Sequence, residues 1–272
     1  MENRPTTAAD QMLMFDTQDL RDRFLVSTLF VDGEVNLTHT LHDRIILGGV
    51  RPGGKTLELP TPDEIRADFF LARRELGVAN VGQGEATVTT DEQSHTLKPL
   101  EVLYVSRGTK KVTFAGDTDL YLVSAPAHSD HPTTLVTADE AMPTTLGAIE
   151  NSNERTIRKY IHADGAQSDQ LVMGITHLAT GSMWNTMPAH VHDRRTECYL
   201  YFNIAEDQRV VHLMGEPSET RHIIIADKEA VISPPWSIHC GFGSGNYAFV
   251  WAMAGENVDY ADMDPAPITT LK

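Results

Sequence analysis

Short apolar runs, separated by Gly, Pro and Asp, recur along the whole chain, and many of them alternate with polar positions. A period of two is typical of β-strands, and many short strands at regular spacing predict a sandwich or a barrel. Helical periodicity is confined to residues 15–25 and 63–71. The pattern therefore predicts an all-β protein with a few short helices. Predicted strands include residues 44–48, 77–81, 103–105, 120–123, 171–177, 198–204, 209–214, 231–233 and 248–253.

The two halves of the chain repeat one order of segments. Arg73-Arg74-Glu75 leads into a predicted strand in the first half, and Arg194-Arg195-Thr196-Glu197 does so in the second. Prolines and polar residues interrupt the strands between positions 125 and 153, which favours a domain boundary there. We therefore predict two β-barrels that arose by internal duplication, one at residues 1–140 and one at residues 141–272.

The net charge of the chain disfavours some classes of binding partner. The 272 residues carry 38 acidic and 22 basic side chains, a formal net charge of −16, which disfavours nucleic acid and anionic membranes. A small anionic substrate stays allowed, because a few arginines can reverse the field inside a cleft. No apolar run approaches the ~20 residues of a membrane helix. The polar N-terminus and the two cysteines, Cys198 and Cys240, lead us to expect a cytoplasmic protein.

A cluster of potential metal ligands lies in the second half. His190 and His192 are two residues apart, so a strand places both imidazoles on one face. Glu197 follows in odd register, so the intervening charged residues must turn the chain if it is to converge with them. His239 comes after Pro234-Pro235, near the start of a later strand. Three imidazoles and a carboxylate suit Zn²⁺, Fe²⁺, Mn²⁺, Co²⁺ or Ni²⁺, and this order of ligands is the cupin metal signature.

The first half lacks these histidines. Residues 69–72 stand where His190 and His192 would lie, and Ser106-Arg107-Gly108 stands in the place of the His239 segment. We therefore predict that the C-terminal cupin barrel binds one metal ion, and that the N-terminal cupin-like barrel is structural or contributes to assembly. The cysteines beside Glu197 and His239 are expected to pack rather than to bind metal, because neighbours on a strand point to opposite faces.

Long segments resemble the 5-keto-4-deoxyuronate isomerases (4-deoxy-L-threo-5-hexosulose-uronate ketol-isomerases). The segments that carry the resemblance are residues 16–21, 43–49, 70–78, 124–128, 155–160, 183–197, 214–222 and 231–239. The resemblance implies a two-barrel (jelly-roll) cupin, a homohexamer, and one Zn²⁺ per subunit on His190, His192, Glu197 and His239. The chain departs from the family's sequence pattern at Thr196, Cys198 and Pro235, and none of these residues is one of the four ligands.

The implied reaction moves a carbonyl from C1 to C2 of a sugar acid, giving 3-deoxy-D-glycero-2,5-hexodiulosonate. It needs a base, an acid and stabilisation of an enediolate. Tyr160, Tyr199 and Tyr201 are candidate hydroxyls, although each is more often a packed barrel residue. Arg155 and Arg221 are the preferred clamps for the substrate carboxylate, because arginine binds carboxylates in bidentate fashion. Alternatively, these arginines pair with the many acids of the surface.

Two other functions share the same ligand set. One is an Fe²⁺-dependent cupin dioxygenase or other oxidoreductase, which dependence on O₂ would reveal. The other is a sugar-binding or storage cupin in which the metal is structural. Such a protein would keep its ligand affinity after metal removal. Apart from the resemblance, the residues predict only a metal-dependent cupin.

Overall fold

The computed structural model describes residues 1–91, 93–185, 189–256 and 258–272. The elements of the first half are β1 (Glu2–Arg4), α1 (Ala9–Met12), α2 (Thr17–Phe24), β2 (Leu25–Val26), β3 (Glu34–Thr40), β4 (Ile46–Arg51), β5 (Leu57–Glu58), β6 (Arg74–Asn80), β7 (Ala86–Thr90), β8 (Gln93–Leu97), β9 (Val102–Val105), β10 (Val112–Gly116), β11 (Leu120–Pro126) and β12 (Thr134–Val136). Those of the second half are β13 (Thr144–Leu146), β14 (Arg155–Ile161), β15 (Val172–Leu178), β16 (Trp184–Asn185), β17 (Ala189–Val191), β18 (Arg195–Phe202), β19 (Val210–Glu216), β20 (Glu219–Ile225), β21 (Glu229–Ser233), β22 (Cys240–Gly243), β23 (Ala248–Gly255) and β24 (Asp264–Ala266). One-turn 3₁₀ helices lie at Asp63–Ile65, Phe70–Ala72, Ile149–Asn151 and Ile268–Thr270.

Each half folds into a barrel made of a seven-stranded and a four-stranded sheet. The first barrel has the strand orders β1-β3-β4-β11-β6-β9-β12 and β5-β10-β7-β8. The second has β13-β14-β15-β23-β18-β21-β2 and β16-β22-β19-β20. Corresponding strands occupy corresponding places, as expected for a duplicated unit, and the predicted all-β double-barrel class is confirmed. Among the described residues, no helix is long and apolar enough to cross a membrane.

Among the described residues, three large apolar cores and one small cluster around Ala189 and Ile238 hold the molecule together. Of the large cores, one fills the first barrel, one lines the second, and the third lies between the two seven-stranded sheets. Strand β18 is buried at all eight positions, because it contributes to two of these cores. Its residues Tyr199 and Tyr201 face the inside of the second barrel, and Leu200 and Phe202 face the core between the sheets. The apolar run of residues 198–202 is the expected sequence of a strand segment covered on both faces.

Polar contacts also join the two barrels. The buried carboxylate of Glu75 accepts hydrogen bonds from the backbone N–H groups of Asp169, Gln170 and Leu171, at 2.7–2.8 Å, and from the hydroxyl of Tyr104 at 2.9 Å. Reciprocally, Asp43 of the first barrel accepts from the backbone and hydroxyl of Thr196 in the second, at 2.8 and 2.6 Å. The two barrels are therefore fixed relative to each other by directional bonds as well as by apolar burial.

The pairing of the strands corrects the register in which the two halves of the chain were aligned. The sequence comparison pairs Glu75 with Glu197, but Glu197 is the third residue of β18, and the third residue of β6 is Leu76. Each lies opposite the third-last residue of its neighbour, Met253 for Glu197 and Ser124 for Leu76. Because one residue changes the face of a strand, Glu75 points between the sheets and Leu76 occupies the position that Glu197 has in the second barrel.

The N-terminal helices pack on the second barrel. Asp16 caps α2, since its carboxylate accepts from the Asp19 backbone at 2.9 Å and Asp19 accepts in return at 3.1 Å. Leu20 and Phe24, four residues apart on one face, are buried in the core of the second barrel. The division at residue 140 stays a prediction, and it does not describe this segment, whose strand β2 pairs with β21.

Candidate metal centre

Three structural elements bring four potential metal ligands together. His190 lies on β17, and His192 follows the end of that strand. A turn closed by the bond from the Arg195 N–H to the His192 carbonyl, at 3.1 Å, reverses the chain into β18 and carries Glu197 back toward the histidines. His239 directly precedes β22, after a turn in which the Ser237 N–H donates to the Pro234 carbonyl. The turn that the odd register required is therefore present.

The four donor atoms converge on one point. Nε2 of His190 lies 3.1 Å from Nε2 of His192 and 3.0 Å from Nε2 of His239. Oε2 of Glu197 lies 2.9 Å from the His192 nitrogen and 2.8 Å from the His239 nitrogen. All four ligand atoms fall within 4.8 Å of one another. Atoms bound at 2.0–2.2 Å to one ion lie roughly 3 Å apart, so this donor set fits a divalent metal.

Hydrogen bonds orient the ligands for binding. Nδ1 of His192 lies 2.8 Å from the carbonyl oxygen of Asp262, and Nδ1 of His239 lies 3.4 Å from that of Ser237. Because a carbonyl only accepts, these contacts place the hydrogen on Nδ1 and leave the lone pair on Nε2. Burial raises the pKa of Glu197, but His239 and His192 outweigh burial and hold that pKa well below its usual value. The Glu197 carboxylate is thus ionised, as a metal ligand must be.

His190, His192 and Glu197 line a cavity of about 330 Å³ in the second barrel, and the fourth ligand, His239, adjoins these three residues. Phe249, Trp251 and Met253, alternate residues of β23, form an apolar wall. Gly174 lies beneath the indole of Trp251, where an added Cβ would come within 1.9 Å of the ring. Glycine at this position therefore permits the ring to lie against the sheet. Such a wall excludes water from part of the cavity and strengthens polar interactions inside it.

The C-terminal residues 258–266, which we call the strap, close one side of the cavity. Strand β24 of the strap pairs with β17, with His190 opposite Pro265. Arg194 forms a bidentate salt bridge with Asp262, at 2.9 and 2.6 Å. The buried Arg195 donates to the carbonyls of Asp259 and Asp262, at 2.6 and 2.8 Å. Because Asp262 also accepts from His192, the strap both walls the cavity and orients a ligand.

The predicted tyrosines have different surroundings. Tyr199 lines the cavity, and its ring meets that of His239 edge-on at 5.6 Å. Tyr201 lies deeper, with its hydroxyl 2.8 Å from Nδ1 of His212. Tyr160 is fully buried and donates to the Leu100 carbonyl in the core between the barrels. Only Tyr199 of the three therefore reaches the cavity.

The two arginines that were predicted to bind the substrate carboxylate also have different surroundings. Arg155 lines the cavity and donates to the Asn153 carbonyl at 3.0 Å, and burial lowers its pKa. Arg221 is not among the residues that line the cavity, and it pairs with Glu219 at 2.7 Å. The alternative of a surface ion pair therefore describes Arg221, and Arg155 is the arginine placed to meet an anion.

The structure adds residues that the pattern did not indicate. Tyr260 and Met263 of the strap line the cavity. The Tyr260 ring lies 5.1 Å from that of Trp251, and Lys159 places its ammonium 4.3 Å from the same tyrosine. The strap follows the last predicted strand and has no periodicity, so the sequence carried no signal for its position.

The cysteines are buried, and burial raises the pKa of both, that of Cys240 to about 12, in keeping with packing.

Known proteins match both the sequence and the fold. The profile of the KduI/IolB family matches residues 25–267. A relative from Kineococcus radiotolerans, named 4-deoxy-L-threo-5-hexosulose-uronate ketol-isomerase, is 50% identical over 100% of both chains. Among solved structures, an IolB-like protein from Salmonella typhimurium has a TM-score of 0.68 at 15% identity, covering 87% of this chain and 94% of its own. Bacillus subtilis oxalate decarboxylase has a TM-score of 0.52 at 10% identity, covering 81% and 70%. These structures support the cupin fold.

Proposed function

The chain belongs to the KduI/IolB family, and from that membership we propose that it is a metal-dependent ketol-isomerase. Its substrate is 5-dehydro-4-deoxy-D-glucuronate (4-deoxy-L-threo-5-hexosulose uronate), and its product is 3-deoxy-D-glycero-2,5-hexodiulosonate. The name of the full-length relative supports this reaction. The observation that carries the proposal is the convergence of three imidazoles and one carboxylate beside a cavity that Arg155 also lines.

We assign one Zn²⁺ per subunit to His190, His192, Glu197 and His239, and other divalent ions suit the same donors. When bound, the ion supplies Lewis-acid polarisation of the substrate carbonyl and stabilises the enediolate charge. Because the Glu197 carboxylate faces two histidines at 2.8–2.9 Å, it is a ligand and not the free base of the reaction.

The other cavity residues divide the remaining tasks. Arg155 binds the substrate carboxylate and thereby sets which end of the sugar acid faces the ligands. Tyr199 and Tyr260 present phenols to the cavity, and burial raises the pKa of Tyr260. A neutral phenol is a proton donor, so Tyr260 is a candidate for the acid that returns a proton at C1, and the base that removes the C2 proton is a separate group. Trp251 and Met253 limit the access of water to the intermediate.

Further properties follow from the resemblance. We propose a homohexamer in the cytoplasm that takes a small sugar acid from uronate breakdown, and that binds neither nucleic acid nor membranes. The net charge of −16 supports the last point.

The decisive experiment follows turnover of freshly made 5-keto-4-deoxyuronate by NMR. Wild-type protein is expected to convert it, to lose activity when stripped of metal, and to recover with Zn²⁺. His192→Ala is expected to stay inactive after Zn²⁺ is added. His222→Ala is the matched control, because His222 is exposed in the same barrel. Absence of conversion by metal-loaded wild type would refute the substrate assignment, and O₂ consumption would then identify an oxygenase.

A further inference from the structure

A second cavity, of about 370 Å³, lies at the mouth of the first barrel. It is formed at the start of β6 and beyond the end of β11, the places that correspond to the start of β18 and the end of β23 at the metal centre. It contains none of the four metal-ligand candidates. The charged and titratable side chains around it are Arg44, Arg73, Arg74, His39, His128 and Glu64.

The three arginines of this cavity lack carboxylate partners. In the part of the chain that the structure describes, no salt bridge involves any of them. Arg74 donates to the hydroxyl and carbonyl of Ser124, at 3.0 and 2.8 Å, and Arg73 donates to the Arg66 carbonyl at 2.6 Å. Acids outnumber bases by 38 to 22 in this chain. Three guanidinium groups around one cavity, none of them paired with a carboxylate among the described residues, therefore form a local positive field.

The backbone holds Arg44 in a fixed position. Asp43 and Arg44 are consecutive non-glycine residues with φ of 47° and 54°. This left-handed conformation is unfavourable for them and persists only where neighbours impose it. Asp43 is held by Thr196 of the second barrel, and the Arg44 carbonyl accepts from Arg74 at 2.6 Å. The turn is therefore fixed at two points, which holds the backbone that carries Arg44 at the cavity rim before any ligand arrives.

We propose that this cavity is a second binding site that takes the phosphate dianion of a small molecule. Three arginines against one glutamate give a formal charge of +2 with the histidines neutral, which matches a dianion. Phosphate carries about −1.5 to −2 charges at neutral pH, with three strong acceptor oxygens, whereas one carboxylate would leave a charge uncompensated. The volume lies within the range of small-molecule sites, about 300–1,000 Å³.

The test is a calorimetric titration of the full-length protein with inorganic phosphate at constant ionic strength. We expect saturable binding to wild type and affinity at least tenfold weaker in Arg44→Gln/Arg73→Gln. Both arginines are exposed, and the single variants Arg44→Gln and Arg73→Gln, checked by circular dichroism, keep the test valid if the double variant unfolds. Arg209→Gln is the matched control, since Arg209 is also exposed and donates to the backbone carbonyls of Glu206 and Gln208 away from the cavity.

A bound metal ion is a competing site for phosphate, so His192→Ala is titrated as well. Unchanged affinity in His192→Ala supports the new site. Absence of binding to wild type, equal affinity in the double variant, or loss of binding in His192→Ala would each overturn the proposal. A further titration with a hexose monophosphate then shows whether the dianion that binds belongs to a phosphorylated sugar or is free phosphate. Binding at least tenfold tighter than inorganic phosphate supports a phosphorylated sugar, and equal binding supports free phosphate as the ligand.

Discussion

Replacement of Glu75 by alanine tests whether the two barrels are coupled through one buried carboxylate. Glu75 is 0% exposed and accepts four hydrogen bonds, three of them from backbone groups of the other barrel. Burial, and then the charge of Glu75, raises the pKa of Tyr104, so this phenol stays neutral and donates. In Glu75→Ala all four donors lose their acceptor, and a cavity remains in place of the side chain.

The expected loss of stability in Glu75→Ala depends on which of the four donors water can reach. Asp169 and Gln170 are partly exposed, so water can replace the carboxylate for their N–H groups, whereas Leu171 and Tyr104 are fully buried. A buried donor without a partner costs about 1–3 kcal/mol. Two such donors and the cavity give an expected loss of about 3–5 kcal/mol, after the cost of burying the carboxylate itself is discounted. Glu75→Gln keeps the shape but turns an amide N–H toward donors, so we expect a loss of about 2–3 kcal/mol.

Urea unfolding followed by two probes measures this coupling. The three tryptophans, Trp184, Trp236 and Trp251, all lie in the second half, so their fluorescence reports the second barrel, while far-ultraviolet circular dichroism reports both. We expect coincident transitions in wild type and separate transitions in Glu75→Ala. Exposed Glu34 supplies a control, for which Glu34→Ala should change stability by less than about 0.5 kcal/mol. A loss below about 1 kcal/mol in Glu75→Ala, with coincident transitions, would refute the reasoning.

Three further predictions concern the cavity and its surroundings. Arg155→Ala should raise KM for the uronate at least tenfold while kcat falls less, because carboxylate binding persists throughout the reaction; an unchanged KM in NMR kinetics would remove Arg155 from this role. Asp262→Ala should speed proteolysis within residues 258–266 and weaken metal binding about 10- to 100-fold, because the strap loses Arg194; an unchanged cleavage pattern and metal affinity would contradict this. Burial, and then Arg158, lowers the pKa of His177 to about 4. As the pH falls from 6.5 to 4, the His177 imidazole becomes protonated in the unfolded chain but stays neutral in the folded protein. The stability of wild type relative to His177→Gln should therefore fall by roughly 3 kcal/mol over that range. Parallel curves of stability in urea against pH would argue against it.

Three of the four metal ligands could be predicted because they lie within eight residues of one another, and His239 could be predicted because it follows Pro234-Pro235 in the order of the cupin signature. His190 and His192 are two residues apart, and the charged turn before Glu197 is visible in the sequence. The strap could not be predicted in this way. Its position depends on Arg194 and Arg195 bonding to residues more than 60 positions away, and no periodic pattern marks such a contact.

Strand alternation predicts which face a residue takes but not how deep it lies. Tyr199 and Tyr201 share the face of Glu197, yet only Tyr199 borders the cavity, because Tyr201 lies farther along β18 and bonds to His212. The misplaced counterpart of Glu197 has a related cause. A shared Arg-Arg pair and a nearby glutamate suggested one register, and the hydrogen-bonded strand partners establish another, shifted by one residue.

The corrected register explains how one unit yields two kinds of barrel. Leu76 and Val78 fill the first barrel at the positions where Glu197 and Tyr199 border the cavity of the second. An apolar interior stabilises by about 25 cal/mol for each Å² that it buries, whereas a hollow interior with a buried carboxylate loses that contribution and adds a desolvation cost. The core between the two seven-stranded sheets, together with the bonds of Glu75 and Asp43, joins the solid barrel to the hollow one. The first barrel thus offsets the instability of a metal centre in the second, and its open end remains available for a separate ligand.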